Sequence, residues 1–340
     1  MKIAICHTNS KGFFSERWIR YCENNKIPYK LVNAYDSDII SQVSDCDAFM
    51  WHFSNYNYRD ALFAKQLLIS LQSAGKKVFP DLNTCWHFDD KVGEMYLLKA
   101  IGAPIVPSYV FYSKADANRW IEATTFPKVF KLRGGSGSSN VKLAKNKRQA
   151  YKYVRKAFSK RGYSQVDWWE LIKFRFVSWI HGRDNFIGFC KSLVWFVIRD
   201  DYDRMHPHEK GYAYFQDFMP NNDFDIRVCV VDHKAFALKR ICREGDFRAS
   251  GGGRIVYDKN QIDERCVKIA LDISQRLKTQ SLAYDFVFDV NKNPLIVEIS
   301  YGYAAHAYDI CEGYWDENLK WHEGTNFDFC GWMIEELLNT

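Results

Sequence analysis

No pair of the ten cysteines (6, 22, 46, 85, 190, 229, 242, 266, 311 and 330) has the two-residue spacing of a zinc knuckle or a dithiol redox motif. The expectation is scattered reduced thiols in a cytoplasmic protein. Long apolar runs are also missing. The longest, 193–198, falls far short of the ~20 residues a membrane helix needs, and the apolar part of MKIAICHTNS is too short for a signal peptide. There is no long basic run, so nucleic acid is not specifically indicated, although the net charge of +6 suits a nucleotide or an acidic acceptor. No GxGxxG fingerprint supports a nicotinamide cofactor, and no internal repeat is visible. What is present is 340 residues, enough for two or three lobes, with 47% hydrophobic and 26% charged residues, as in ordinary globular chains. Aromatic residues make up 16%, with 11 Trp, which serves a stacking surface or a core equally well.

Taken in order, residues 2–6, 29–32, 46–51 and 77–79 read as strands, with helical spacing over 16–25 and 60–75. Such alternation predicts a small parallel α/β lobe. Asp89, Asp90 and Lys91 open a helix that runs to about Ala100, where Gly102 and Pro104 close it. After a strand at 106–111 and a helix at 114–122, 147–160 is a basic amphipathic helix with a solvated face. Residues 168–211 are rich in aromatics and strand formers, and their pattern does not choose between extra strands of a lid and an inserted acceptor-binding element. His206 and His208 in that region read as surface loop, since no third ligand stands nearby. Strands follow at 212–219, 225–231 and 234–241, then a helix at 261–278, a hairpin of 283–290 with 294–300, and a helix at 328–338.

Two stretches carry chemistry. In 126–145 (FPKVFKLRGGSGSSNVKLAK) a strand bearing Lys131 opens into Gly134, Gly135, Ser136, Gly137, Ser138 and Ser139, then returns through Val141. Glycines let backbone N–H groups turn toward an anion, and the lysine adds charge. Alone, the loop has linker composition. The final hairpin turns at Asn291, Lys292 and Asn293, which sets Asp285 nearly opposite Glu298, with Ser300 on the face of Glu298. Directly paired Cβ atoms lie ~5 Å apart, close enough for two carboxylates to share magnesium. The alternative is two solvent-facing acids, and a one-residue slip in register would part them. Lys91, Lys131, Lys239, Arg240 and Arg248, from separate segments, supply the cations that a magnesium–nucleotide triphosphate requires.

In this order, the DK helix, strand lysine with glycine-rich loop, QDF strand, DIRV, KRICREGDFR and paired Asp and Glu resemble the ATP-grasp superfamily. The branch most similar holds glutathione synthetase and the ligase that adds glutamate to a ribosomal protein; the likeness spans 89–301. It implies an α/β and α+β ATP-grasp fold, two α+β subdomains gripping ATP, behind a parallel α/β lobe. The implied boundaries are 1–88 for the lobe and 89–340 for the ATP-grasp domain, divided into a lid subdomain (about 105–215, insertion 168–211) and a metal-binding subdomain (216–340). By the family pattern, Lys91 and Lys131 meet ATP phosphates and Gly134, Gly135, Ser136, Gly137 and Ser138 cover them. Gln216, Asp217, Phe218 and Met219 read adenine, and Asp225, with Asp223 as rival, stands near the ribose. Arg227, Lys239 and Arg248 face phosphate or acceptor carboxylate, and Asp285, Glu298 and Ser300 hold magnesium, or manganese in its place. Two positions depart from the pattern: Ser300 replaces the usual asparagine, and Ala249–Ser250 replace Ser–Asn.

The resemblance implies a carboxylate–amine ligase working through an acyl phosphate, with an acidic saccharide, amino acid or peptide as acceptor, an amino acid as amine and a homodimer among the allowed assemblies. An ATP-grasp kinase and a non-catalytic ATP-binding module are the rival readings. Tyr301, Tyr303, His306, Tyr308, Tyr314, Trp315, Trp321 and His322 follow the metal hairpin and serve either acceptor stacking or C-terminal packing.

Overall fold

Ile3–Cys6 (β1) and Ala48–Trp51 (β3) are buried at every position, as strands covered on both faces must be. With Tyr29–Val32 (β2) and Lys77–Phe79 (β4) they form a parallel sheet in the order β2-β1-β3-β4. The computed structural model describes residues 1–8, 12–135, 140–165, 168–180, 185–198, 201–243, 247–249, 254–325 and 327–339. Its contacts divide the chain into two compact units: Met1–Ser54, Arg59–Val106 and Met219–Thr340 in one, Asn55–Tyr58 and Pro107–Phe218 in the other. All ten cysteines are free thiols, eight of them buried, and no helix of the described residues is long and apolar enough to cross a membrane.

The smaller unit is built on an antiparallel sheet, Ser108–Phe111 (β5), Lys128–Lys131 (β6), Val141–Ala144 (β7) and Ala213–Asp217 (β8), in the order β5-β8-β6-β7. Its core joins Phe130, Phe215 and Leu132 to Ile121 and Val154 from the helices Lys114–Ala123 and Lys147–Ala157. Ser113 and Asn146 cap these helices, each accepting a backbone N–H three residues on. The region the sequence left undecided is helical: Trp168–Ile180, Phe186–Ile198 and Asp201–Met205. Aromatic and β-branched composition suggests strands there, but aromatic contacts between the first two helices, such as Trp179 on Phe189 at 5.9 Å and 8°, override the local preference.

The rest of the larger unit is one seven-stranded antiparallel sheet. Its strands are Phe224–Val231 (β9), Lys234–Ile241 (β10), Ile255–Val256 (β11), Ser281–Phe288 (β12), Pro294–Ser300 (β13), Gly313–Trp315 (β14) and Trp321–Glu323 (β15). The order is β13-β12-β9-β10-β14-β15, with β11 on β10. β9 and β10 turn at Asp232 and His233, both at positive φ, as a two-residue hairpin requires. One face of the sheet (Ile226, Val228, Tyr284, Phe286) joins the core of the helix Glu264–Leu277 and part of the parallel lobe; the other (Cys229, Val231, Phe236, Ala283) joins the C-terminal helix Phe329–Asn339.

Two buried histidines belong to this unit. His52 stacks on Phe14 (3.7 Å, 13°) and its Nδ1 accepts from the Phe14 N–H; burial pushes its pKa down to about 3. His87 is held at about 4, by burial first and Lys65 second. Both are neutral in the folded chain, whereas unfolded histidines protonate near ~6.5. The stability they allow is therefore complete above that pH and is lost as pH falls toward 4, by up to ~1.4 kcal/mol per pH unit per histidine. His52→Asn, which keeps an acceptor for Phe14, is expected to flatten the fall in urea-unfolding free energy between pH 6.5 and 5. An unchanged slope refutes the assignment.

Candidate functional site

The hairpin of β12 and β13 pairs Asp285 directly with Glu298, and Asp285 is also the register partner of Arg227 on β9. A β-bulge makes this row compatible with the core. The register shifts between Asp285 and Phe286, so Ile296 and Ile299 are both buried in the core although strict alternation would put them on opposite faces. Glu298 and Ser300 are left on the face of Asp285 and Arg227.

Asp285, 6% exposed, accepts from Arg227 Nε (2.6 Å) and Nη2 (2.7 Å), and Arg240 Nη2 lies 2.8 Å from its Oδ2. Burial opposes its charge, but Arg227 and Arg240 hold the carboxyl well below the usual carboxylate range. Arg240 also makes a bidentate pair with Asp225, at 2.7 and 2.5 Å. Burial outweighs that pairing and pushes the Asp225 carboxyl upward. Lys91, the first residue of the helix Lys91–Ala100 and 5% exposed, lies 3.4 Å from Glu298 Oε1. Burial works against the ammonium, yet Glu298, Glu94 and Asp89 raise it above its ordinary value. Glu94, one helical turn on, accepts from the Ile299 N–H at 3.2 Å. Val106 N–H to Ile296 O (3.0 Å) and Ile296 N–H to Pro104 O (2.8 Å) hold the segment after this helix along β13.

Lys91, Asp225, Arg227, Asp285 and Glu298 thus form one cluster, and Arg240, named among the cations, is its centre. Lys239 lies on the opposite face, its Nζ 4.0 Å from the Phe224 ring centroid, because neighbours in a strand point to opposite sides. Arg248 sits over the ring of Phe247 at 6.0 Å. Ser300 Oγ accepts from the Gly302 N–H at 3.2 Å and closes a turn. Glu94 was missed; its signal was the three-residue spacing from Lys91 on one helix.

In the smaller unit Lys131 is buried on β6, between register partners Val141 and Tyr214. Gly134 and Gly135 are buried, Gly135 at φ +108°, whereas Ser136, Gly137 and Ser138 lie outside the described residues. The Gln216 side chain donates to Ser108 Oγ (3.1 Å), and Asp217 pairs with Lys128 at 2.5 Å. Phe218 and Met219 follow the strand. After the β12–β13 hairpin, Tyr301, Tyr303, Tyr308 and Trp315 are buried and serve packing, with Tyr301 Oη donating to Phe53 O at 2.7 Å, whereas Tyr314, Trp321 and His322 are half-buried and His306 is exposed.

A divalent cation fits this donor set in part. Asp285 and Glu298 share a face, and Glu298 keeps 29% of its side chain exposed, but three guanidinium contacts already occupy Asp285. No group of three His, Cys, Asp or Glu able to hold a metal occurs among the described residues. Two carboxylates match magnesium bound chiefly by phosphates and water.

Residues 210–307 match the model of the RimK-like ATP-grasp domain. The chain has the ATP-grasp fold. Among solved structures, a RimK-domain ATP-grasp protein from Sphaerobacter thermophilus is similar over 99% of this chain and 100% of its own, at 14% identity and TM-score 0.57. D-alanine–D-alanine ligase from Bacillus anthracis complexed with ATP is similar over 89% and 86%, at 13% identity and TM-score 0.53. An ATP-grasp ligase, PsnB, with a minimal precursor, Mg and ADP, is similar over 99% and 97%, at 12% identity and TM-score 0.55. Comparison with curated protein sequences finds no match.

The double role of Arg240 is testable. In Arg240→Met, Asp225 loses its bidentate partner while buried, and unfolding is expected at ~3–5 kcal/mol less free energy at pH 7. Its raised carboxyl pKa then makes the deficit smallest near pH 4 and largest at neutrality, since stability is lost as pH rises through the folded value. Urea unfolding at pH 5 and 7 checks this, and a pH-independent deficit contradicts it.

Proposed function

We propose that this chain is an ATP-dependent carboxylate–amine ligase. The observation that carries the reading is the row Glu298–Asp285–Arg227, bordered by Lys91 and Arg240, in an ATP-grasp fold. Cations and carboxylates on one rigid sheet suit a reaction that is mostly electrostatic positioning.

In this reading a substrate carboxylate oxygen attacks the γ-phosphorus of ATP, the bond to the ADP oxygen breaks, and an acyl phosphate results. An amine nitrogen then attacks the acyl carbon, phosphate leaves, and the nitrogen loses a proton. Lys91 and Arg227 stabilise charge on the phosphoryl oxygens, Asp225 orients Arg240, and Asp285 and Glu298 would hold magnesium, which would neutralise phosphate charge. Ser300, turned to Gly302, is the weakest member of the metal set. Lys131, Gly134 and Gly135 are assigned to ATP phosphates and the backbone from Gln216 to Met219 to adenine; the Gln216 and Asp217 side chains are taken up within their own sheet. Lys239 lies on the wrong face of its strand for the cluster, and Arg240 takes its place. Arg248 remains a candidate for the acceptor carboxylate. With Tyr301, Tyr303, Tyr308 and Trp315 in the core, the acceptor class rests on the carboxylate chemistry, in a saccharide, amino acid or peptide.

ADP release over a matrix of acids and amines, with mass spectrometry of products, is expected to require an acid and to yield an amide. Glu298→Gln is expected to lower turnover ~10²-fold or more. Undiminished turnover in that variant sinks the assignment, and a phosphorylated alcohol accumulating without amine makes the protein a kinase instead.

A further inference from the structure

The chain enters its glycine-rich segment at Arg133 and leaves it at Asn140, and a closed polar circuit ties these two positions together within the smaller unit. The Arg133 N–H donates to Tyr212 Oη at 2.6 Å, and Tyr212 Oη donates to Glu209 Oε2 at 3.0 Å. Gln165 Nε2 donates to Glu209 Oε1 at 3.0 Å, and Asn140 Nδ2 donates to the Gln165 backbone oxygen at 2.7 Å. Leu132 N–H to Asn140 O, 3.3 Å, closes the ring. Asn140, Gln165 and Glu209 are 8%, 8% and 9% exposed.

The backbone supports the same arrangement. Tyr163 and Glu209 exchange both backbone hydrogen bonds at 2.8 Å. Gly162, at φ +64°, makes this approach possible: a Cβ there would stand 2.4 Å from Glu209 O. Asn140 is itself left-handed, at φ +61°, a conformation asparagine tolerates better than most residues.

The β6–β7 ladder, with Lys131 opposite Val141, already closes this hairpin. Apolar side chains would pin its ends at least as stably as a buried carboxylate and two amides, whose desolvation is costly. What the polar circuit adds is direction: it fixes the peptide plane at Arg133 and the left-handed turn at Asn140. The first adjoins Gly134 and Gly135 directly, and the second is tied back to it through the Leu132 N–H.

We infer that Tyr212, Glu209, Gln165 and Asn140 are positioning residues that preset Arg133, Gly134 and Gly135 for the phosphates of a nucleotide. This rests on the reading of Lys131 and the glycine segment as phosphate-binding. None of the four need touch the nucleotide. Their effect is therefore confined to its charged part.

The experiment uses the full chain with Tyr212→Phe, Glu209→Ala and Asn140→Gly, the last keeping left-handed backbone accessible while removing the amide. Affinities for Mg–ATP and for adenosine are measured by calorimetry or competition, with thermal midpoints for each variant. ATP binding is expected to weaken about three- to tenfold per variant, the size of one hydrogen bond, with adenosine affinity unchanged. A merely structural role lowers the midpoint or weakens both ligands in proportion, and either pattern without a change in the ATP-to-adenosine ratio overturns the inference. If the unaltered protein binds no ATP, the nucleotide reading itself fails. If it binds ATP and the variants match it, only the positioning role is lost.

Discussion

Asp285 is the constraint on which the larger unit depends. A carboxylate 6% exposed survives ionised only with partners, and it has two guanidinium groups. Each partner comes from a different strand, so the ion set locks β12, β9 and β10 into one register. A slip of one residue on any of the three would leave a buried charge without its counterion, a far larger penalty than the loss of an apolar contact. The β-bulge belongs to the same solution, because it lets β13 bury Ile296 and Ile299 in the core while Glu298 stays beside Asp285.

This arrangement also bears on the chemistry proposed. Arg227 and Arg240 are neutralised by Asp285 and Asp225, and Lys91 by Glu298. Were a divalent cation to draw on Asp285 and Glu298, as proposed, their hold on Arg227, Arg240 and Lys91 would weaken, and the released positive charge would suit phosphate oxygens. Both carboxylates stand on strands, so such a change would need little movement.

Much of this was legible in the sequence where one local rule sufficed. The Asn-Lys-Asn turn brought Asp285 within one residue of Glu298, leaving the β-bulge to complete the pairing; period-3.6 spacing gave the helices near their observed bounds, and DK at a helix start exposed Lys91. The glycine-rich segment was visible by composition, but its supports were not. Glu209, Gln165 and Tyr212 are remote in sequence from Arg133 and Asn140, and a polar residue in an aromatic stretch gives no sign that it closes a circuit. Lys239 and Arg240 show the limit of motif reasoning. Two adjacent cations look equivalent in a string, yet the pleat sends one to the Phe224 ring and the other to the carboxylates. The 168–205 helices misled for a different reason: their composition favours strands, and side-chain contacts between helices decide the matter.

The C-terminal aromatics carry the same lesson toward specificity. Placed directly after the β12–β13 hairpin, Tyr301, Tyr303 and Tyr308 invited a role in stacking on a sugar, but each is buried, and Tyr303 Oη and Ser281 Oγ satisfy one another at 2.8 Å. These hydroxyls are satisfied inside the core, so removing them would act on stability before it acted on any substrate. In the reading proposed, activation rests on a row of charges on one sheet, and choice of acceptor falls to groups outside the core, with half-buried Arg248 beside Phe247 as one that the sequence named.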